Sequence, residues 1–393
     1  MAEDLWGKDP YSNMWILNTT EKIKNLTWWW WWWIFFIDNP SDPKHPRQFM
    51  ILWSTKNCNR IKVMDHLWTP KKSIKVMMAD GGKALSANEQ NANTLGENRM
   101  EFNGMTAAWW FDGKKMIDPY ILEESDFYTK WLGDEGILVP ESKEGNIYTF
   151  EGNPKKYKVH IKFKKGEFLF EMEPWNEFMS KHVYNVRHYT KKMGYNILKI
   201  RGMKLSGFIE ENGKKEDISG SAYFQRLMVN APAVPWYWGL FHIEDGSYID
   251  YMFPFIGPQM FRNTEKPRSL LDWGDIKLSK SVEYYVAETG KLYNLKFGSV
   301  KKEFSKENLP IFIVEGHDKE NKVNLKMRLE AYSRAYWRFE QKNSIKSRIF
   351  FYNEYPVVMT DFSFVDKESR LKKSLEDLGK VMGNCEHSWG RLF

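Results

Sequence analysis

The sequence contains little of what metal, redox or nucleotide chemistry requires. Two cysteines, Cys58 and Cys385, occur among 393 residues and form no metal or redox spacing, while a disulfide between them stays open. The eight histidines include no His-x-His or His-Glu-x-x-His pair, and the chain has neither a Gly-x-x-x-x-Gly-Lys loop nor a Gly-x-Ser-x-Gly elbow. We therefore expect no metal and no nucleotide cofactor.

The chain also lacks a long apolar run. Its most apolar segment, residues 26–37, is far shorter than the roughly 20 residues that a membrane-spanning helix needs. The first residues, Met1-Ala2-Glu3-Asp4, are acidic and begin no signal-peptide core. Together with the low cysteine content, this predicts a cytoplasmic protein. Because tryptophan favours membrane–water interfaces, the sequence leaves peripheral contact with a membrane open.

Positive charge is mildly in excess but is not concentrated. The formal net charge is +7, and the lysines of residues 155–165 alternate with apolar residues, which is typical of the solvated face of a sheet. Residues 333–339 interleave arginines with aromatic side chains, yet they fit strand alternation equally well. Without a basic block, we expect no nucleic-acid partner.

Aromatic residues are abundant, and six tryptophans occupy positions 28–33 in a row. A β-strand can use such a run because alternate side chains leave opposite faces. Trp28, Trp30 and Trp32 would then point one way, and the other three would point the opposite way. One set could line an apolar cavity while the other packs against covering structure, which predicts a wide, aromatic-lined β-barrel.

Strand-like segments separated by Asp-Gly, Asn-Gly and Lys-Gly turns follow one another along most of the chain. Helical patterns are short and few, and the best are residues 123–132 and 369–378. Many strands with few helices predict an all-β fold built from antiparallel barrels or sandwiches.

The two halves of the chain resemble each other. An aromatic strand followed by a hairpin occurs at residues 28–53 and again at residues 236–253, and each half closes on a glycine-led strand. Since 393 residues exceed what one hydrophobic core usually serves, we predict two domains, residues 1–230 and residues 231–393.

Several short motifs carry a family resemblance. They are the tryptophan run after Thr27, then Gly220-Ser221-Ala222-Tyr223-Phe224-Gln225, Trp236-Tyr237-Trp238, the Asp245-Gly246 hairpin and Gly383-Asn384-Cys385-Glu386. In this order they resemble the lipocalin-like proteins related to bacterial carotenoid hydratase (hydroxyneurosporene synthase) and the AttH proteins. The resemblance covers most of the chain, although its motifs are short and loosely specified.

The resemblance implies two consecutive lipocalin-like barrels with an apolar ligand cavity between or within them. It also implies cofactor-independent hydration, isomerisation or cyclisation of an isoprenoid or polyene-like molecule. Many family members have no assigned activity. The family's middle motif has an acidic residue where this chain has Gln225, so the chain departs from the family's pattern at that position.

Protonating an isolated alkene needs a strong acid beside a dry cavity, and aromatic faces and a carboxylate stabilise the resulting cation. The candidate catalytic carboxyl groups are Asp250 and Glu386, with His242 and Tyr248 as assistants. Each residue also has a structural interpretation. Asp250 suits a solvated strand position, Glu386 an ion pair with a neighbouring Arg or Lys, and His242 the rim of a hairpin.

Strand parity places Trp236, Trp238 and Leu240 on one face of their strand. The predicted cavity walls are tryptophans of the two aromatic strands with one tyrosine: Trp30, Trp32, Trp236, Trp238 and Tyr223. Plain core packing is the alternative for the tryptophan run. Besides the enzyme, two functions stay open: a carrier of lipid or pigment without turnover, and a carbohydrate-binding protein. The sequence identifies neither the substrate nor the oligomeric state.

Overall fold

The chain folds almost entirely into antiparallel strands. The computed structural model describes residues 12–17, 22–70, 74–77, 98–261, 276–342 and 347–391. Helix within these ranges is limited to one α-helical turn, Ser12–Trp15, and two 3-10 turns, Pro258–Phe261 and Leu375–Leu378. The prediction of an all-β fold with few short helices is confirmed.

The strands fall into two groups along the chain. The first group is β1 (Thr27–Ile37), β2 (Arg47–Lys56), β3 (Ile61–Val63), β4 (His66–Trp68), β5 (Lys75–Met77), β6 (Asn98–Phe111), β7 (Met116–Leu132), β8 (Glu135–Glu141), β9 (Ile147–Asn153), β10 (Lys156–Phe163), β11 (Gly166–Pro174), β12 (His182–His188), β13 (Gly194–Glu211) and β14 (Lys214–Asn230). The second group is β15 (Trp236–Ile243), β16 (Tyr248–Ile256), β17 (Ile276–Lys277), β18 (Ser281–Val286), β19 (Lys291–Leu295), β20 (Phe297–Phe304), β21 (Pro310–His317), β22 (Val323–Ala331), β23 (Ala335–Lys342), β24 (Ser347–Asp366), β25 (Leu371–Ser374) and β26 (Val381–Gly390).

The first group closes into a barrel of ten antiparallel strands. Their order is β11-β10-β9-β8-β7-β6-β2-β1-β14-β13, and β13 pairs back onto β11. The second group forms a large sheet with the order β19-β18-β16-β15-β26-β24-β22-β21-β20. In both groups the closing strand, β14 or β26, pairs with the opening strand, β1 or β15. This arrangement matches the similarity between the two halves of the sequence.

One hairpin of the first group belongs to the second sheet. Strand β3 pairs with β23, so that Val63 lies opposite Phe339, and β4 pairs with β3. The indole of Trp68 donates a hydrogen bond to Asn103 of the barrel at 3.1 Å. The hairpin therefore bridges the two sheets. The predicted domain boundary at residue 230 stays a prediction.

The tryptophan run forms one extended strand, as predicted, and its two faces have different surroundings. Trp29, Trp31 and Trp33 are buried in the core of the barrel, together with side chains of the facing strands. Trp28, Trp30 and Trp32 face a second cluster that includes Trp238 and other side chains of the second sheet. We call this second cluster the inter-sheet layer. The barrel interior is a packed core, so the candidate ligand space lies in the layer.

Both predicted helices are mainly wrong. Residues 123–132 lie in β7, where Ser125, Phe127, Thr129 and Trp131 are buried at alternate positions, which is the period of a strand. Leu371–Ser374 is strand β25, and only the predicted terminal turn is helical. In that turn the Ser374 backbone N–H donates a hydrogen bond to the Asp377 carboxyl group at 2.7 Å.

Two further points from the sequence concern a disulfide bond between the cysteines and a membrane-spanning helix. Cys58 and Cys385 are both free and buried. Among the described residues, no helix is long and apolar enough to cross a membrane.

Asp118 of β7 ties the barrel to the second sheet and should make stability depend on pH. Its carboxyl group accepts a hydrogen bond from the Tyr336 backbone N–H, and burial raises its pKa to about 7. An acid whose pKa is raised in the folded state stabilises the fold below its unfolded pKa, and this stabilisation is lost as the pH rises to 7. We expect the unfolding free energy of the wild type, relative to Asp118→Asn, to fall by on the order of a few kcal/mol between pH 4 and 7. Parallel denaturant titrations measure this difference, and a constant difference would contradict the expectation.

Candidate functional site

The predicted cavity-wall residues meet in the inter-sheet layer. Trp32 and Trp238 have ring centroids 5.6 Å apart in an edge-to-face arrangement, and Tyr223 lies 5.7 Å from Trp32 and 5.6 Å from Trp238. Trp30 and Trp236 pack against the same cluster. These contacts join opening strand β1 of the barrel to opening strand β15 of the second sheet, because both strands direct their even-numbered side chains into the layer.

Two glutamates lie side by side under this aromatic cluster. Glu386 of β26 is directly opposite Glu354 of β24 on one side and Trp238 of β15 on the other. Directly opposed residues of antiparallel strands share a face, so both carboxyl groups point into the layer. Glu354 is fully buried and Glu386 is 5% exposed. Within the described part of the chain, neither glutamate forms an ion pair with a Lys or Arg, contrary to the structural alternative for Glu386.

Tyr352 connects the two carboxyl groups. Its hydroxyl oxygen lies 2.5 Å from Oε1 of Glu354 and 2.7 Å from Oε1 of Glu386. The other oxygen of Glu386 accepts a hydrogen bond from the indole N–H of Trp236 at 2.6 Å. We call Glu354, Glu386 and Tyr352 the carboxyl centre.

Burial favours the protonated forms of both carboxyl groups. It raises the pKa of Glu386 to about 7, while hydrogen bonds from Tyr352 and Trp236 act in the opposite direction. The pKa of Glu354 is raised well above its usual range, first by burial and then by the neighbouring charge of Glu386. Two carboxylates cannot both ionise cheaply in a site of low dielectric, so the pair holds a proton near neutrality.

Three polar atoms in the described ranges, which are Oε2 of Glu354 and two neighbouring indole nitrogens, are left without a hydrogen bond of normal geometry. The indole groups of Trp32 and Trp109 lie close enough to lower the pKa of Glu354 against the effect of burial. Among the described residues, however, neither indole nitrogen nor Oε2 of Glu354 makes a hydrogen bond of normal geometry. Of the two carboxyl groups, Glu386 therefore has the indole hydrogen bond of normal geometry, which comes from Trp236.

An apolar cavity of about 30 Å³ lies in the layer next to the carboxyl centre. Its lining is aromatic and aliphatic apart from two hydroxyl groups, and the lining residues are Trp28, Met50, Leu52, Ser54, Val63, Trp68, Met105, Ala107, Trp337, Phe339 and Tyr352. The Ser54 hydroxyl accepts the indole N–H of Trp28 at 3.2 Å. The five predicted wall residues do not line this cavity, although they pack in the same layer.

Asp250 and Tyr248 belong to an ionic cluster at another part of the layer. Oδ2 of Asp250 lies 2.8 Å from Lys199 Nζ and accepts a short hydrogen bond from the Tyr248 hydroxyl. Glu283 lies 3.6 Å from Lys199 and 3.5 Å from Arg201. Since Lys199 and Arg201 come from β13 and the acids come from β16 and β18, the cluster links the barrel to the second sheet. This geometry gives Asp250 a structural role, and its catalytic role stays a prediction.

His242 is fully buried, and protein groups occupy both of its ring nitrogens. Nε2 lies 2.7 Å from the carbonyl oxygen of Arg201, and Nδ1 lies 2.7 Å from the Ser221 hydroxyl. Burial lowers its pKa to about 4, so the ring is neutral near pH 7. Nε2 must then carry the proton, and Nδ1 accepts from Ser221. His242 fixes the backbone beside Arg201, and it has no nitrogen left to orient a water molecule.

Tyr223 lies between the ionic cluster and the carboxyl centre. Burial raises its pKa well above the usual range, and the charges of Asp250 and Glu386 add to this effect. Its hydroxyl donates a hydrogen bond to Gln225 at 3.3 Å. A neutral amide at position 225 suits this position, because a third carboxylate here would face two acids.

Sequence reasoning missed Glu354 and Tyr352, and it left Trp28 out of the predicted cavity walls. A usable signal was present, since Glu354 interrupts an aromatic strand, residues 350–355, two positions after Tyr352 and on the same face.

As to metals, the described residues contain no group of three or more His, Cys, Asp or Glu side chains that could hold an ion.

Comparisons with known proteins identify the fold. No family model and no curated protein matches the chain. The crystal structure of CghA has a TM-score of 0.50 with this chain, both with Sch210972 (8% identity) and without it (9% identity), and covers 93% of this chain and 88% of CghA.

Two further solved structures are similar. A candidate AttH protein from Nitrosomonas europaea has a TM-score of 0.44 and 10% identity over 95% of this chain and 98% of its own. Kievitone hydratase from Nectria haematococca has a TM-score of 0.36 and 11% identity over 92% and 88%. The similarity to CghA, at a TM-score of 0.50, is a similarity of fold alone.

Proposed function

We propose that the protein is a cofactor-independent enzyme that protonates a carbon–carbon double bond of a hydrophobic, isoprenoid or polyene-like substrate. Hydration, isomerisation or cyclisation follows, so the enzyme is a hydro-lyase or an isomerase. The observation that carries the proposal is the buried pair Glu354 and Glu386 beside an apolar, tryptophan-lined cavity. The solved structure of CghA with Sch210972 adds that a protein of this fold holds a small molecule.

The pair has the properties that such chemistry requires. A carboxylic acid that keeps its proton near neutrality can donate it to a weak base such as an alkene. The remaining carboxylate can stabilise the cation that forms, and so can the faces of neighbouring indoles. We assign the proton to Glu354 and the negative charge to Glu386, because the Trp236 indole N–H donates a hydrogen bond to Glu386.

Substrate binding must enlarge the cavity. A volume of about 30 Å³ has room for only two or three water molecules, since each needs roughly 10–15 Å³ measured this way. Val63 and Trp68 of the β3–β4 hairpin are part of the lining. Movement of this short hairpin is the least costly way to admit a substrate, because β3 pairs with β23 at only two residue positions.

The two other functions are less well supported. A carrier needs an apolar cavity but gains nothing from two buried carboxyl groups, each of which costs free energy to bury. A carbohydrate-binding protein would present tryptophans as a flat row to solvent. Trp29, Trp31, Trp32 and Trp33 are at most 2% exposed, so the run does not offer such a row. Peripheral contact with a membrane stays open as the route by which an apolar substrate arrives.

Mass spectrometry of an organic extract, followed by incubation of the protein with isoprenoid alkenes and polyenes, tests this proposal. We expect an apolar molecule to co-purify and the enzyme to convert it. The pH profile of turnover should be bell-shaped, rising through about pH 7 as Glu386 ionises and falling about tenfold per unit where the pair loses its last proton. Bound ligand without conversion at any pH would favour the carrier.

A further inference from the structure

We infer that Tyr352 is a catalytic residue of this site. Its hydroxyl group transfers the proton of the carboxyl pair to the substrate. The inference rests on the proposed function and adds the group that touches the reacting carbon. It follows from three observations, which are the number of protons among three oxygens, the partners of the two glutamates and the lining of the cavity.

Counting protons shows that one glutamate is protonated. The Tyr352 oxygen lies within 2.7 Å of carboxyl oxygens of both Glu354 and Glu386. A phenol has one hydrogen and can donate it to only one of them. The second contact, between two oxygens, needs another hydrogen, and only a protonated carboxyl group can supply it. Short O–H···O contacts of this kind are typical of charge-assisted hydrogen bonds.

The partners of the two glutamates indicate where this proton resides. Glu386 accepts the Trp236 indole N–H through its second oxygen at 2.6 Å, whereas the indole N–H groups of Trp32 and Trp109 lie near Glu354 without forming hydrogen bonds of normal geometry to its second oxygen. A carboxylate needs donors more than a neutral acid does. The arrangement is therefore Glu354 as the acid donating to Tyr352, and Tyr352 donating to the Glu386 carboxylate.

Of these three residues, only Tyr352 lines the cavity. Tyr352 is only partly buried, while both glutamates are buried and are not part of the lining. A substrate in the cavity meets the phenol and not the carboxyl groups. The only other hydroxyl group in the lining is that of Ser54, which already accepts the Trp28 indole N–H.

The transfer balances without any additional reactant. For the transfer, the Tyr352 O–H turns from Glu386 towards the alkene, whose π electrons form a C–H bond with the Tyr352 proton as the O–H bond breaks. The Tyr352 oxygen takes the proton of Glu354 at the same time. This step leaves a carbocation, a neutral tyrosine and two carboxylates, and Glu386 and Glu354 stabilise the cation. In hydration, water adds its oxygen to the cation, and the proton that it loses returns through Tyr352 to Glu354. In isomerisation, the proton lost from carbon follows the same route.

Tyr352→Phe tests the relay, because it keeps the ring in the cavity wall and removes only the hydroxyl. We expect turnover to fall by about 10²–10⁴-fold, as for loss of a proton-transfer group, while the Kd of the apolar ligand changes less than about threefold. Tyr336→Phe is the matched control on neighbouring strand β23 and should keep full turnover. Near-ultraviolet circular dichroism and thermal unfolding report whether each variant is folded.

Glu354→Gln is measured in parallel with Tyr352→Phe. The comparison distinguishes failure of the proton relay from failure of the proposed function. Loss of turnover in both variants supports the relay. Loss in Glu354→Gln with full turnover in Tyr352→Phe overturns the relay and leaves the proposed function standing. A wild-type protein that converts none of the bound or added alkenes overturns both.

Discussion

Glu386→Gln is expected to lower turnover by about 10²–10⁴-fold, and Glu354→Gln by a similar factor. The amide replaces one carboxyl group with a neutral group of the same shape, so the packing around Trp236 and Tyr352 should persist. The two glutamates act as one unit, because a single proton is shared between them through Tyr352. The double variant should therefore be little worse than either single variant.

Steady-state kinetics with the substrate found in the extract measure these effects. Glu315→Gln, on a half-buried position of the same sheet with an ion pair to Lys326, is the matched control and should leave turnover unchanged. Additive losses in the double variant would mean that the two carboxyl groups work independently. Unchanged turnover in Glu386→Gln would remove this residue from the chemistry.

Trp33→Ala is expected to destabilise the fold by roughly 3–5 kcal/mol, the usual cost of removing a large buried aromatic side chain. Trp33 is fully buried in the barrel core, and its ring lies 4.8 Å from that of Phe224 and 5.4 Å from that of Phe150. No facing side chain can fill the resulting hole without moving the strands. The midpoint of chemical denaturation measures the loss.

Trp28→Ala is the matched control, because it removes the same side chain from the other face of the same strand. Trp28 is half-buried and lines the cavity, so its loss should cost clearly less stability and should weaken binding of the apolar ligand. Equal destabilisation by the two substitutions would contradict the assignment of one face to the core and the other to the ligand space.

The strand character of the tryptophan run could be predicted from sequence because alternation is a local property of an extended chain. The same reasoning correctly put Trp236, Trp238 and Leu240 on one face. Prediction was wrong for residues 123–132, whose acidic and aromatic composition suits a helix equally well. In the closed barrel this segment is a strand, because β7 pairs with β6 along one edge and with β8 along the other.

The candidate site could be predicted only in part, since it depends on the register of strands far apart in sequence. Glu386 was identified, but its neighbour Glu354 is set by the pairing of β24 with β26, which no local pattern encodes. Asp250 was assigned to the same chemistry because it lies among tyrosines. Its partner Lys199 comes from the other sheet, so only the packing of the two sheets reveals the ion pair.

Infrared spectroscopy of the carboxyl groups tests the central claim most directly. At pH 8 ordinary glutamates are ionised, since their pKa is about 4.3. The wild type should still show the band of a protonated, buried carboxyl group, and Glu354→Gln should lose it while Glu386→Gln keeps it. A wild-type spectrum at pH 8 without this band would mean that the layer holds no acid and that the proposed chemistry has no proton source.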